Sequence, residues 1–299
     1  MDSELFKNRS VGSCLNDAFD LFRTNFKTLF RRLWLSAVVL SLLLAATILL
    51  GLQHPSNVAG SVSLIILYLL DIAGYVWFYS IIISLLNGKS VKVNLPRASR
   101  LALLLIGVFV LVTLIFAIAF AGNMVSVMNP EKVQTASVKL AVGTMAFLIV
   151  LAVACLPFAY SAMKYCIETE SKVWSIFKKP YVTGLRHWGY LFLTALLTEI
   201  ISAVISMVIS LPLYVILFCY YANSNGMSFG DPSGLSAGFG ILAFLTAAVC
   251  SFVDLFVRPW LTFTFFYAYG SIEEKEKGKR ESKELTVDEE QSTDLEVTQ

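Results

Sequence analysis

The sequence predicts an all-α protein, a polytopic membrane helical bundle of six transmembrane helices with amphipathic interfacial helices on the cytoplasmic side. Six apolar runs, at about 33–52, 62–86, 101–122, 141–163, 191–222 and 241–269, are each long enough to cross a bilayer core of roughly 30 Å. Hydrophobic residues make up 57% of the chain and the mean hydropathy is +0.72, whereas soluble domains are about half apolar and a quarter charged. Basic residues mark one side of the runs. Lys7, Arg9, Arg23, Lys27, Arg31 and Arg32 precede the first, and Lys89, Lys92, Arg97 and Arg100 follow the second. Lys164, Lys172, Lys178, Lys179 and Arg186 follow the fourth; Lys275, Lys277, Lys279, Arg280 and Lys283 follow the sixth. The opposite loops hold only Lys132 and Lys139, so the positive-inside bias predicts both termini in the cytoplasm.

Residues 1–32 are expected to form a cytoplasmic amphipathic N-terminal helix. Val11, Leu15, Phe19, Phe22, Phe26, Leu29, Phe30 and Leu33 recur at helical steps and make one apolar face, with Arg23, Lys27 and Arg31 as a basic ridge beside it. Ser10 or Ser13 can cap its start, and Asn25 is a candidate break. Such a helix suits the membrane interface or the underside of the bundle. No cleavable signal is expected, because this mostly polar stretch precedes a run longer than a signal core. The six runs then fill a transmembrane domain at 33–272. Pro96 is placed to begin the helix of the third run. A second amphipathic element, with Val173, Ile176, Phe177 and Tyr181 on one stripe, precedes the fifth run, and Pro180 and Gly184 punctuate the chain after it. Pro157, Pro212 and Pro259 fall inside runs and predict kinks. The outer loop 223–240, rich in Gly, Ser and Asn, is expected to be irregular, and the loop near 123–139 to exceed a tight turn. The tail 273–299 is charged and free of aromatics, and disorder is expected there.

Short internal matches suggest a repeat of outward hairpins. Leu33-Trp34-Leu35-Ser36-Ala37 resembles Leu191-Phe192-Leu193-Thr194-Ala195, and Asp71 with Trp77 has the spacing of Asp254 with Trp260.

Ionisable residues inside the runs are costly and are functional candidates by default. Asp71 and Glu199 have no local partner and are expected to face the bundle interior, on a proton or cation path or hydrogen-bonded to a neighbouring helix. Asp254 and Arg258, four apart, can pair along one helix face. Arg23, Lys27, Arg31, Arg32, Lys178 and Lys179 are the candidates for lipid head groups. Residues 1–272 carry 18 basic against 11 acidic residues and residues 273–299 carry 5 against 10, so the basic excess lies at the membrane and the acidic excess in the tail. Anionic lipids of the inner leaflet account for that excess, and no nucleic-acid-binding fold accompanies it.

Catalytic and cofactor signatures are missing. His54 and His187 are the two histidines, too few for an HExxH-type metal centre, and neither a P-loop nor a GxSxG elbow occurs. Of the five cysteines none lies in an outward loop or a CxxC pair, so neither disulfides nor a zinc site are expected. The sequence thus predicts no enzyme, no metal and no cofactor.

The stretch from Leu15 to Phe30, LNDAFDLFRTNFKTLF, resembles a group of bacterial multi-pass proteins. It includes the membrane domain attached to some glycerophosphodiester phosphodiesterases and the related YciC-like and DUF975-type families. The resemblance covers about sixteen residues and implies a bacterial inner membrane; the phosphodiesterase domain of that group has no counterpart here. Two functions remain open: a non-enzymatic component that organises lipids, or a protein partner through the C-terminal tail; and a small-solute or ion permease using Asp71 and Glu199.

Overall fold

A computed structural model describes residues 5–53, 57–127, 133–230, 234–236 and 238–297. The structure is a helical bundle, with no strand among the described residues. In chain order the helices are α1 (Val11–Leu52), α2 (Val58–Asn87), α3 (Val91–Val127), α4 (Val133–Ile167), α5 (Lys179–Arg186), α6 (Trp188–Ser228), α7 (Phe239–Leu255) and α8 (Arg258–Val297), with a 3-10 turn at Val173–Phe177. Six helical segments are long and apolar enough to span a membrane, the sixth formed by α7 and α8 together.

The first run does not begin a new helix. α1 passes through Asn25 without a break, because the Asn25 amide donates to the Leu21 carbonyl 3.0 Å away and so stays within the helical turn. The Ser10 hydroxyl accepts from the Ser13 backbone N–H and caps the start. At 42 residues α1 is roughly 63 Å long, about twice the hydrocarbon thickness, so the N-terminal segment and span one are halves of one rod. α1 is the central post of the fold and packs against α2, α7 and α8. Leu29, Leu33 and Leu40 are fully buried in the core with Phe78 and Ile82 of α2 and Leu255 and Ile272 of α7 and α8. Farther along, Ala45 meets Ala247 and Ala248, small residues that let α1 and α7 come close where no hydrophobic effect drives association.

Proline acts differently at each site. Pro157 and Pro212 lie inside α4 and α6 without ending them. Pro259 marks a true break: the chain tightens at Phe256 and Val257, whose N–H groups donate back three residues to Val253 and Asp254, before α8 starts. A proline at the second position of a helix forfeits no hydrogen bond, so the new helix begins there at no cost. Pro96 does not begin α3, which starts at Val91. Pro180 instead opens α5, and Gly184 sits within that helix. A β-carbon on Gly184 would lie 2.8 Å from the Pro157 carbonyl oxygen, so glycine permits α5 to dock on α4.

α3 and α4 form a hairpin anchored mainly at the basic end of the bundle, where Ile83, Ala98, Tyr165, Cys166 and Ile176 make a second core. Arg97 is the clasp there. Its guanidinium donates to the carbonyls of Tyr165 and Thr169, and to that of Glu168 at 2.8 Å, saturating the C-terminus of α4, and it stacks on the Tyr165 ring at 4.2 Å.

The tail also differs from expectation. α8 runs on as helix to Val297, where the sequence predicts disorder from residue 273. Glu and Lys favour helix, and Glu273 and Glu276 continue the helical register of half-buried Phe265 and buried Tyr269 and Ile272 onto neighbouring helices. The outer loop is shorter than expected, because α6 extends to Ser228.

The segment ahead of α1 is tied to α8. Arg9 is 7% exposed; its side chain bonds Asp17 at 2.7 Å and the Leu5 carbonyl at 2.7 Å, and lies over the Tyr267 ring. Its backbone N–H donates to the Ser271 hydroxyl. At Gly270 an added β-carbon would sit 2.4 Å from the Leu5 carbonyl oxygen. Gly270→Val should therefore lift this segment off α8, at a cost of about 1–3 kcal/mol typical of overpacking. Limited proteolysis reads it out: cleavage ahead of Val11 should become fast while the bundle stays intact.

Candidate functional site

Two regions gather the polar residues: the middle of the bundle and its basic end.

In the bundle, Asp71 of α2 is 6% exposed and accepts a 2.7 Å hydrogen bond from the Thr47 hydroxyl of α1. Its other oxygen is buried without a partner among the described residues. Asp254 of α7 accepts from the Ser206 hydroxyl of α6 and pairs with Arg258 at 2.7 Å. The pair spans the break between α7 and α8, so the two residues meet across a turn and not along one helix face. Thr47 and Ser206 lie at nearly the same depth past the matching Leu33 and Leu191, so both hairpins use one device, a hydroxyl on the first helix held by an aspartate on the second.

Glu199 departs from expectation. It is exposed, not interior, and among the described residues it makes no hydrogen bond or ion pair. It lies at one edge of a cavity of about 570 Å³ between α2, α3, α4, α6 and α8, which Tyr75, Tyr79 and Arg258 also line. Asp71 is not part of that lining, so the two carboxylates do not converge on one path.

At the basic end α8 is a hub. Glu276, 8% exposed, holds Arg186 at 3.1 Å, the His187 ring at 2.9 Å and Lys279 at 3.3 Å. One turn earlier Glu273 holds Lys164 at 2.5 Å and accepts from the Tyr160 hydroxyl. Beside this network Lys179 and Arg186 of α5 face Lys279, Arg280 and Ser282 of α8 across a cavity of about 580 Å³. Among the described residues its one acidic wall residue, Glu276, is already engaged by three cationic or neutral donors, so those residues give the space a net positive charge. Of the head-group candidates, Lys179 lines this cavity and Lys178 does not; Arg23, Lys27, Arg31, Arg32, Lys178 and Lys179 are all exposed. Phe26, Phe30 and Trp34 of α1 are exposed beside them at 43–47%. The sequence reading missed Arg9, Glu273 and Glu276 as partners. The helical step from Tyr269 through Ile272 to Glu276 carried the signal, but the charge-rich composition masked it.

The chain matches no family model, no curated protein and no solved structure. What the fold defines is a multi-pass membrane protein with six candidate spanning helices.

Proposed function

We propose that this is a non-enzymatic component of the bacterial inner membrane, with both termini cytoplasmic, that holds anionic lipids of the inner leaflet at its basic end. The observation that carries this reading is the exposed pairing of aromatic and cationic side chains on α1: Phe26, Phe30 and Trp34 beside Lys27, Arg31 and Arg32. Counting 1.5 Å per residue from Leu33, Lys27 and Arg31 lie roughly 3–9 Å outside the apolar core, at head-group depth. Arg23 lies one turn farther, within reach of a tilted helix. In water these exposed rings would be a liability; at the interface the rings enter the acyl boundary and the cations meet phosphate. The cavity between α5 and α8 offers the same charge at the same end. The acidic end of α8 is the segment we assign to a protein partner.

The test is lipid retention by the detergent-purified protein. Each basic residue near an anionic surface contributes about 1 kcal/mol. Replacing Arg23, Lys27 and Arg31 with glutamine, and separately Lys178 and Lys179, should lower retained anionic lipid severalfold in native mass spectra, and the combined variant should retain it no better than zwitterionic lipid. Unchanged retention in the combined variant refutes the reading.

A further inference from the structure

The cavity beside Glu199 has a chemistry opposite to that of the basic end. Its walls are apolar, built by α3 and α4 on one side and by Leu261 and Phe265 of α8 on the other. Four of its residues are aromatic phenols or formally charged: Tyr75, Tyr79, Glu199 and Arg258. Arg258 is already neutralised by Asp254 at 2.7 Å, and Asp254 is further held by Ser206. Among the described residues Glu199 has no such partner, so the free charge they give the cavity is one carboxylate. Tyr75 and Tyr79, stacked with ring centroids 6.4 Å apart, add π faces that attract cations. The Glu199 carboxylate is close enough to Tyr79 to act on it electrostatically. The volume of about 570 Å³ falls in the range of small-molecule sites, which are mostly apolar with a few polar groups.

We propose that this cavity binds a lipophilic organic cation, an amine or quaternary centre on an apolar body, with Glu199 as counter-ion and Tyr75 and Tyr79 as aromatic wall. A carboxylate at the edge of an apolar cavity, within a membrane-spanning segment, needs a proton or a cation. A compact metal ion would have to exchange its water for several oxygen ligands, and the cavity's side chains offer one carboxylate, two phenols and the Thr262 hydroxyl. An organic cation keeps a diffuse charge and fills the apolar walls. The anionic candidates fail on sign, since the one guanidinium here is spoken for. This site is independent of the anionic-lipid surface, and either can fail without the other.

The experiment measures binding of tetraphenylphosphonium to the full chain in detergent by equilibrium dialysis, with tetraphenylborate as a probe of the same shape and opposite charge. The wild type should prefer the phosphonium at least tenfold. Glu199→Gln should weaken phosphonium binding at least tenfold while Glu199→Asp retains most of it. Because Glu199 is exposed and unpaired, neither change should alter the circular dichroism or the elution volume, which are measured alongside. No phosphonium binding by the wild type, equal or tighter borate binding, or undiminished binding by a folded Glu199→Gln variant each overturns the assignment.

Discussion

Replacing Arg97 with alanine should be among the most destabilising single changes in the chain, lowering the unfolding midpoint by several degrees and costing about 3 kcal/mol. The guanidinium serves carbonyls of Tyr165, Glu168 and Thr169, at the end of α4, where the intrahelical ladder has run out of donors. Hydrogen bonds from a charged donor are worth roughly 1.5–3 kcal/mol each, and the exposed ones are discounted for solvent. Its removal also strips the cation from the Tyr165 ring and from the second core of Ile83, Ala98 and Ile176. Arg97→Lys should recover only a minor part, since one ammonium cannot fork across several carbonyls. The damage should be local. Arg97 of α3 bonds only the end of α4 and the turn after it, so cross-linking between α3 and α4 at the basic end should fall while contacts elsewhere in the bundle persist. A thermal-shift assay in detergent ranks the three proteins; an Arg97→Ala variant as stable as the wild type would remove Arg97 from its place as the clasp.

The second large effect is at Glu276. Truncation to alanine leaves Arg186, His187 and Lys279 gathered around an empty centre and costs about 1–3 kcal/mol, because Glu276 and His187 are buried while Arg186 and Lys279 reach solvent. The consequences run in two directions. The first turns of α8 beyond Ile272 should detach from α5 and α6, seen as faster hydrogen exchange over residues 273–282. The cavity lined by Lys179, Arg186, Lys279 and Arg280 loses its one acidic wall residue, so anionic lipid should bind it more tightly even as stability falls. Glu276→Gln should fall between, keeping an acceptor for His187 but not the charge. Loss of stability together with loss of anionic lipid would count against a head-group role for this cavity.

The number and order of the spans were legible in the sequence because apolar length is a one-dimensional property. The pairing of Asp254 with Arg258 was legible for the same reason, being local. Three features were not. The continuity of α1 through Asn25 depends on a side chain bonding within its own turn, a choice that composition leaves open. The break before Pro259 depends on whether that proline falls inside a helix or at its start, and Pro157, Pro212 and Pro259 look alike in sequence. The order of the segment after Ile272 depends on Arg186, His187 and Lys164, distant in the chain, meeting Glu276 and Glu273 across helices. For the candidate sites, Asp71 and Glu199 read as equivalent carboxylates in apolar runs. Only the fold separates them, sealing Asp71 against Thr47 and leaving Glu199 at a cavity edge.

The lipid preference of the wild-type protein bears most directly on the account. Purified protein is placed in nanodiscs of equal anionic and zwitterionic phospholipid, released, and the lipids that remain bound are counted by mass spectrometry at increasing salt. The basic end predicts anionic lipid in clear excess at low salt, with the excess shrinking as the charges are screened. Retention of the two lipids in equal amounts at low salt would contradict it.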